Sequence, residues 1–480
     1  MNYKMVFYIL GMILKVEGLL LVAPAAVGGI YRERAGIAYL ITALIAYAIG
    51  LVLTHLRVDD RQVFAREGFA AVGLVWLAMS LIGALPFVMC GDIPNYVDAL
   101  FETVSGFTTT GSSILSDVES LNHCSLFWRS FTHWVGGMGI IVFVLAVIPL
   151  LGGTTLNLMK AESPGPVVGK LVPRIRQSAA ILYRIYLVFT IVEVVLLTVF
   201  GMPLFEAVCH TFGSVGTGGF GVRNDSYAGY SPALQIITIV FMLMCGVNFN
   251  FYYYLINRKV KSAFRIEEVR IYLLIVAAST GVITWNIASR FGSAGEALRH
   301  ALFQVSSIIT TTGYATLDYN AWPEMSKVIL IILMIIGACA GSTGGGMKVS
   351  RVIILAKTVR KEVDTILHPR LVKKIRMDDA PVAHETVRST NVFIAIYFMI
   401  FFASILLISI DECDFTTNFT AVAATLNNIG PGMALVGPTG NFGLFSPFSK
   451  IVLIFDMLAG RLEIFPMLLL FSFRSWKRYN

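Results

Sequence analysis

Charged residues are scarce in this sequence, which holds 480 residues of which only 14% are Asp, Glu, Lys or Arg. A soluble globular protein carries about 25% charged residues, so this chain has too little charge to cover a water-facing surface of its size. In contrast, 56% of the residues are hydrophobic and the mean hydropathy is +0.75. The apolar residues fall into runs of about 20 or more, long enough to cross the hydrocarbon core of a bilayer as helices. The sequence therefore predicts a polytopic membrane protein.

Clusters of metal-binding or redox side chains are also lacking. The six cysteines include no CxxC pair and the seven histidines are dispersed, so we predict neither a zinc site nor a disulfide framework. The apolar runs contain no nucleophile–base pair and no metal cluster, so an intramembrane enzyme is a remote alternative and no covalent cofactor is expected. The net charge of +8 is compatible with nucleic-acid binding, but the placement of the basic residues favours membrane topology instead.

Ten apolar segments are predicted to span the membrane, which places both termini on the same side. A signal peptide is an alternative for the first of them, but Lys15 and Glu17 interrupt it and it is too long for an ordinary signal sequence, so we expect a retained helix. The ten segments are residues 5–31, 36–55, 69–90, 126–151, 180–202, 234–256, 272–291, 326–348, 392–410 and 451–473.

Lys and Arg concentrate on one face of this topology. The connections 56–68, 152–179, 257–271, 348–391 and 474–480 hold 25 of them, whereas the long loops on the other face hold only Arg223 and Arg299 against thirteen Asp and Glu. The basic face is therefore predicted to be cytoplasmic, together with both termini. The basic stretch 357–376 is expected to be a solvated loop or a lipid-headgroup contact rather than a partner-binding site.

Each of the four acidic outer loops carries a short apolar, helix-like stretch that ends in a turn of small residues. Aligning Gly111, Gly218, Gly313 and Gly430 gives spacings of 107, 95 and 117 residues, an internal repeat of roughly 100 residues. We therefore predict an all-α fold with four helix–pore-loop–helix repeats around a pseudo-fourfold central pore, after two N-terminal helices in residues 1–66. The predicted repeats are residues 67–160, 161–262, 263–376 and 377–480.

The length of these stretches indicates what they do. A helix of about 10–12 residues is about 15–18 Å long, so it enters half of a bilayer and leaves the following turn inside the membrane. Lipid cannot satisfy the carbonyl groups of that turn, but four such turns around one axis would replace the hydration shell of a cation. The C-terminal ends of the helices, each with a charge of about −0.5, also favour a cation. A single TTTG turn would ordinarily be only a connection between two helices. Two TTTG copies, with two related turns at the matching positions of the other repeats, favour an ion pore instead.

Several motifs, in order along nearly the whole chain, resemble the Trk/Ktr/HKT superfamily of potassium transporters, and more closely its bacterial TrkH/TrkG type. Besides the four turns, the matching stretches are HWVGGMGIIVF (133–143), GACAGSTGGGMK (337–348), LNNIGPG (426–432) and MLAGRLEIFP (457–466). The resemblance implies potassium uptake across the bacterial plasma membrane by a homodimer that binds a cytosolic nucleotide-binding regulatory subunit. Obligate symport with H⁺ or Na⁺ is an open alternative, because a filter is compatible with either mode of transport.

The resemblance also implies roles for individual residues. Arg461 would face the pore below the filter and repel cations, although a structural ion pair with Asp456 or Glu463 is an alternative. Glu193 is a buried charge in the fifth predicted span, and the sequence identifies no partner for it. The glycine-rich segment Gly341, Ser342, Thr343, Gly344, Gly345 and Gly346 would form an intramembrane gating loop rather than an ordinary flexible helix end. The filter residues, which would bind K⁺, are Thr109, Thr110, Gly111, Gly216, Thr217, Gly218, Thr311, Thr312, Gly313, Asn428, Ile429 and Gly430.

Overall fold

The structure is a computed structural model that describes residues 2–55, 65–137, 139, 175–370, 374–462 and 464–471. These residues form twenty α-helices and one short antiparallel hairpin of β1 (Arg376–Met377) and β2 (Ala380–Pro381). The helices are α1 (Tyr3–Leu20), α2 (Val22–Tyr31), α3 (Gly36–Thr54), α4 (Ala65–Gly83), α5 (Leu85–Cys90), α6 (Tyr96–Phe107), α7 (His123–Gly137), α8 (Ile175–Val199), α9 (Leu204–Val215), α10 (Pro232–Gly246), α11 (Phe249–Ile256), α12 (Val260–Arg265), α13 (Glu267–Ile287), α14 (Ala294–Ile309), α15 (Glu324–Ile336), α16 (Val349–Leu367), α17 (His384–Ile408), α18 (Phe415–Leu426), α19 (Pro447–Arg461) and α20 (Ile464–Phe471).

Several helices have the length and composition of membrane spans. Within the described residues six helical segments meet this criterion, and a seventh does so if α10 and α11 are counted as one bent span. Large apolar side chains lie exposed on their outer faces, as Leu44, Val199 and Leu406 show, and a lipid environment would cover them. The chain is therefore a helical membrane protein, as predicted. The six segments are Tyr3–Tyr31, Gly36–Thr54, Glu67–Cys90, Ile181–Val199, Glu267–Arg290 and His384–Asp411.

Two predicted spans are not continuous helices. The prediction of a continuous helix over 326–348 was wrong beyond Ile336, where α15 ends. An α-helix does not accommodate positive φ angles, and four residues after Ile336 have φ between 68° and 79°: Gly337, Gly341, Gly346 and Lys348. The predicted helix 234–256 breaks between α10 and α11, which meet at an angle of 94°. Side-chain capping of α11 by Asn248, whose oxygen accepts the N–H of Asn250, stabilises that break.

The basic stretch 357–376 also differs from the predicted loop. Its first part, up to Leu367, continues helix α16, since Ile353 and Ile354 pack one face of this helix into the core beside α13. Some predictions lie outside the described residues: the fourth span beyond residue 139, the junction of the first two repeats near residue 160, Glu463, and the chain after residue 471.

Four short helices, α6, α9, α14 and α18, lie in the four acidic loops and have 12, 12, 16 and 12 residues. A 12-residue helix is about 18 Å long, too short to cross the hydrocarbon core. Asn95, Ser293 and Asp414 cap the N-termini of three of them through side-chain oxygens. The longer helices pack around them, α6 against α7 and α19, and α9 against α7 and α8. This packing brings the C-terminal ends of the short helices into the protein interior.

Candidate functional site

The four short helices end in the same hydrogen-bonded motif. At the end of α6, the N–H of Thr110 donates to the carbonyl of Ser105 at 2.8 Å, and the N–H of Thr109 donates to Gly106 at 3.1 Å. This pair of bonds is a Schellman motif, which needs a left-handed residue directly after the helix cap. Equivalent bonds close α9, α14 and α18. The left-handed residues have φ between 53° and 58° and are Thr109, Thr217, Thr311 and Asn428.

A second left-handed residue, in every case glycine, follows two positions later in each turn. These glycines have φ angles of 79°, 82°, 89° and 109° and are Gly111, Gly219, Gly313 and Gly430. The predicted register of the second turn was therefore wrong by one residue: Thr217, Gly218 and Gly219 are equivalent to the other triplets, and Gly216 is the helix cap. Because Gly218 and Gly219 are adjacent, an alignment of the turns by their glycines fits two registers. The hydrogen bonds at the end of α9 show which of the two registers is correct.

The four turns contact one another in a closed ring. Each glycine lies against the carbonyl oxygen of the residue that precedes the glycine of the next turn, and the fourth turn closes on the first. A Cβ atom would collide with that oxygen in three turns and would lie 3.0 Å from it in the fourth, so glycine is required for this approach. The contacting pairs, glycine first, are Gly111 and Gly218, Gly219 and Thr312, Gly313 and Ile429, and Gly430 and Thr110.

An open cavity of about 140 Å³ reaches the ring from the side of the four acidic loops. All four left-handed glycines line it, together with Ser112 and Pro431. Ser112 also donates its hydroxyl hydrogen to the carbonyl of Gly430 at 2.9 Å, which ties the first turn to the fourth at the mouth of the ring. The arrangement therefore presents four turns of polar backbone to a water-accessible cavity.

His133 on α7 supports the first two turns from behind. Its Nδ1 lies 2.8 Å from the carbonyl of Gly106, and its Nε2 lies 3.1 Å from the backbone nitrogen of Phe220. The carbonyl only accepts and the N–H only donates, so both bonds require the neutral ring with its hydrogen on Nδ1. A Cβ on Gly218 would collide with this ring. The sequence analysis assigned no role to this histidine, and the adjacent Gly136-Gly137 pair was the available signal for close packing.

A buried ion pair supports the same region and was not predicted. Arg129 and Glu102 have side chains that are 2% and 0% exposed, and their charged atoms approach to 2.7 Å. Glu102 also accepts hydrogen bonds from the Ser113 hydroxyl and the Ile114 N–H, so it fixes the chain that leaves the first turn. An arginine inside a predicted membrane span was the available signal, because such a charge needs a partner.

Asn428 connects the fourth turn to its surroundings. Its amide nitrogen donates to Thr110 Oγ1 of the first turn and to the Met457 carbonyl on α19, both at 2.9 Å. One side chain in the fourth turn therefore fixes both the neighbouring turn and the adjacent helix.

The predicted gating segment, residues 341–346, lies against the third and fourth turns. It contacts them near Thr310 and Asn427, the C-cap residues of α14 and α18. The N–H of Gly345 donates to Thr311 Oγ1 at 2.5 Å. Cβ atoms built on Gly345 and Gly344 would lie 2.5 Å from the Asn427 carbonyl oxygen and 2.8 Å from the Thr310 carbonyl oxygen. The glycines therefore permit direct backbone contact between this loop and the third and fourth turns.

Arg461, the last residue of α19, contacts the same loop. Its guanidinium donates to the Thr343 carbonyl at 2.8 Å and to the Gly136 carbonyl at 2.6 Å. Of its predicted acidic partners, Asp456 accepts a hydrogen bond from the Ser404 hydroxyl at 2.7 Å, and its second oxygen has no hydrogen-bond partner within the described ranges. Glu193 accepts a hydrogen bond of 2.6 Å from Ser214 in the last turn of α9, which identifies the partner that the sequence left open.

Comparisons with known proteins agree with this architecture. The family model TrkH, described as a cation transport protein, matches residues 36–478. The Trk system potassium uptake protein TrkH of Salmonella typhimurium is 36% identical, over 99% of this chain and 100% of its own. The protein TrkG of Escherichia coli is 34% identical over 99% of each chain. The crystal structure of the potassium transporter TrkH from Vibrio parahaemolyticus superposes with a TM-score of 0.89 at 33% identity and covers 99% of this chain and 100% of that one.

Proposed function

Because the chain belongs to the TrkH family of cation transport proteins, we propose that it takes up potassium across the plasma membrane through a pore at the centre of the four turns. Its relatives are transport proteins and not enzymes. The observation that supports the proposal most directly is the closed ring in which each left-handed glycine touches the carbonyl of the next turn. In this proposal the backbone oxygens of the four turns surround one axis, as the coordination of a dehydrated cation requires.

The proposed ligands are backbone oxygens of the four turn triplets, with the second triplet shifted to Thr217–Gly219. The short helices direct the partial negative charges of their C-terminal ends toward the same centre, which favours a cation over an anion. The absence of Cβ atoms at the four glycines keeps side chains out of the ring. In this proposal four repeats surround a pseudo-fourfold axis, and ten segments span the membrane, two of them as broken helices.

The loop 341–346 is the proposed gate, and Arg461 is the proposed electrostatic barrier. The contacts of Gly345 with Thr311 and of Gly344 with Thr310 support this proposal, because an ion that leaves the ring on this side would meet the loop. Arg461 holds this loop through Thr343 and brings a fixed positive charge to it. Loop movement and removal of this charge would therefore both raise the ion flux.

We also propose the setting of this transporter. Its basic face would lie in the cytoplasm with both chain termini, in the inner membrane of a bacterium. A homodimer and a cytosolic nucleotide-binding regulatory subunit complete the assembly that the family resemblance implies.

The test is potassium and sodium flux into proteoliposomes that contain the purified protein. We expect potassium flux to exceed sodium flux and to follow the membrane potential without a pH or sodium gradient. Potassium uptake that requires one of those gradients would favour obligate symport, and potassium flux no greater than that of protein-free vesicles would refute the proposal.

A matched pair of variants assigns the flux to the ring. Gly219→Ala introduces a Cβ that collides with the Thr312 carbonyl, whereas Gly91→Ala introduces it at a similar φ of 85° with no atom within 4 Å. The backbone strain is comparable in the two variants, so only Gly219→Ala is expected to lower potassium flux or selectivity. Equal effects of the two substitutions would remove Gly219 from the pore.

A further inference from the structure

The two ends of the proposed gating loop converge on one carboxylate oxygen. Glu268 is the second residue of α13, and it is only 3% exposed. Its Oε1 accepts the N–H of Ala340 at 2.7 Å and the N–H of Ser350 at 3.0 Å. Ala340 directly precedes the loop and Ser350 lies just after it, so a single atom closes the base of the loop.

The bond to Ser350 has a second consequence, for helix α16. Ser350 lies in the first turn of α16, where backbone N–H groups have no partner within the helix. A carboxylate at this position satisfies one of these groups and interacts favourably with the helix dipole. Glu268 therefore fixes the point at which the loop ends and regular helix begins.

The other carboxylate oxygen connects the loop to the bend between α10 and α11. Asn248 at this bend places its Nδ2 3.4 Å from Glu268 Oε2, and the next residue, Phe249, donates its N–H to the Gly341 carbonyl at 3.0 Å. The loop base, the bend and the start of α13 are thus held together around one buried anion. Hydrogen bonds to a buried charge are about twice as strong as those between neutral groups.

We propose that Glu268 is a positioning residue that latches the loop 341–346 in its blocking position. This inference rests on the proposed gating function of the loop. To withdraw from the turns, the loop must separate the Ala340 N–H, the Ser350 N–H, or both from Glu268 Oε1. The carboxylate is held in the packed interior at the start of α13, so it does not follow the loop. Loss of the carboxylate therefore favours the withdrawn loop.

The test compares Glu268→Ala with Glu267→Ala. Glu267 is the adjacent carboxylate on the same helix, but it pairs with Lys357 at 2.6 Å on a partly exposed surface and contacts no loop residue in the hydrogen bonds and ion pairs of the described chain. We expect Glu268→Ala to raise potassium flux into proteoliposomes about tenfold at unchanged potassium-to-sodium ratio, because two bonds to a charged acceptor are lost. Glu267→Ala is expected to stay within about twofold of the wild type.

Amide hydrogen exchange supplies a readout that does not depend on transport. Peptides covering residues 337–350 are expected to exchange faster in Glu268→Ala, while peptides covering the four turns keep the wild-type rate. Faster exchange throughout the protein would indicate general destabilisation and would overturn the inference. If Glu268→Ala does not fold, Glu268→Gln takes its place. It keeps an acceptor oxygen without the charge, and an increase in flux of about threefold is expected.

The failures of the two proposals differ. If the wild type carries no potassium, the proposed function fails. If, in addition, residues 337–350 exchange at the wild-type rate in Glu268→Ala, Glu268 does not hold the loop and the latch is overturned as well. If the wild type carries potassium but Glu268→Ala matches Glu267→Ala in flux, or reduces it, the latch is overturned while the transport function stands.

Discussion

A pair of threonine-to-valine substitutions tests whether the ring and the loop are coupled. Thr311 and Thr109 occupy equivalent left-handed positions, with φ angles of 58° and 53°, and both side chains are fully buried. Thr311 Oγ1 accepts the N–H of Gly345 at 2.5 Å, whereas Thr109 Oγ1 has no hydrogen-bond partner within the described ranges. Valine preserves the branched shape at both positions and replaces the hydroxyl group with a methyl group that forms no hydrogen bond.

The size of the expected effect on the loop follows from the backbone N–H of Gly345, which loses its acceptor. In Thr311→Val, the N–H of Gly345 stays buried without an acceptor, at a cost of about 1–3 kcal/mol. This cost applies only while the loop lies against the turn, because a withdrawn loop exposes the N–H to water. The equilibrium between the two loop positions should therefore shift by roughly 5- to 150-fold toward the withdrawn state. In Thr109→Val no bonded partner is lost, so the shift should be close to zero.

The assay is potassium flux per molecule in proteoliposomes without a regulatory subunit. Thr311→Val is expected to increase the flux severalfold or more, up to the limit set by a fully open pore, and Thr109→Val to stay near the wild type. Sodium flux and thermal stability measured in parallel separate a change of gating from damage to the filter. Equal fluxes of the two variants, or a lower flux of Thr311→Val in folded protein, would refute the coupling.

Three further predictions concern the barrier, the filter and the outer surface. Arg461→Ala should raise potassium flux, because it removes the charge that faces the loop through Thr343; unchanged or lower flux in folded protein would exclude the barrier role. Gly313→Ser should lower the potassium-to-sodium flux ratio, because its Cβ would collide with the Ile429 carbonyl, and an unaltered ratio would remove Gly313 from the filter. Partial burial raises the pKa of Glu33, but hydrogen bonds from the N–H groups of His123 and Cys124 outweigh it and hold the pKa below the ordinary value of 4.5. Glu33 should therefore stabilise the fold fully above pH 4.5 and progressively less as the pH falls through its folded pKa. The difference in melting temperature between the wild type and Glu33→Gln should shrink with acidification, and a constant difference would contradict this assignment.

The sequence predicted those parts of the site that depend on local pattern. The short helices before Gly111, Gly313 and Gly430 were predicted from their length and from the small residues after them, and the structure gives all three glycines positive φ angles. The second turn shows the limit of this reasoning. With glycine at positions 216, 218 and 219, composition alone does not fix which residue is left-handed, and the hydrogen bond from Gly218 to Gly213 determines it.

Contacts between distant parts of the chain were not predictable from a single sequence. Asn428 and Thr110 are 318 positions apart, and His133 and Phe220 are 87 apart, yet each pair is hydrogen-bonded. The break in the predicted helix 326–348 has a similar origin. Several of its N–H groups donate to α10, to Glu268 of α13 and to the third turn, and those of Met347 and Lys348 donate across the break to Ile335 and Ile336. Hydropathy does not show these contacts, so the sequence pattern predicted a continuous span.

The left-handed threonines connect these two kinds of information. A non-glycine residue in this conformation costs about 1–2 kcal/mol, and glycine would remove that cost at each helix end. The side chains supply contacts that glycine would lose: Thr217 donates its hydroxyl hydrogen to the Gly216 carbonyl at 2.7 Å, Thr311 accepts from the loop, and Asn428 reaches the first turn and α19. Strained conformations persist where the surroundings determine them, commonly at functional sites. Since Thr311 belongs to the proposed filter and also holds the proposed gate, its side chain would connect ion coordination with loop movement.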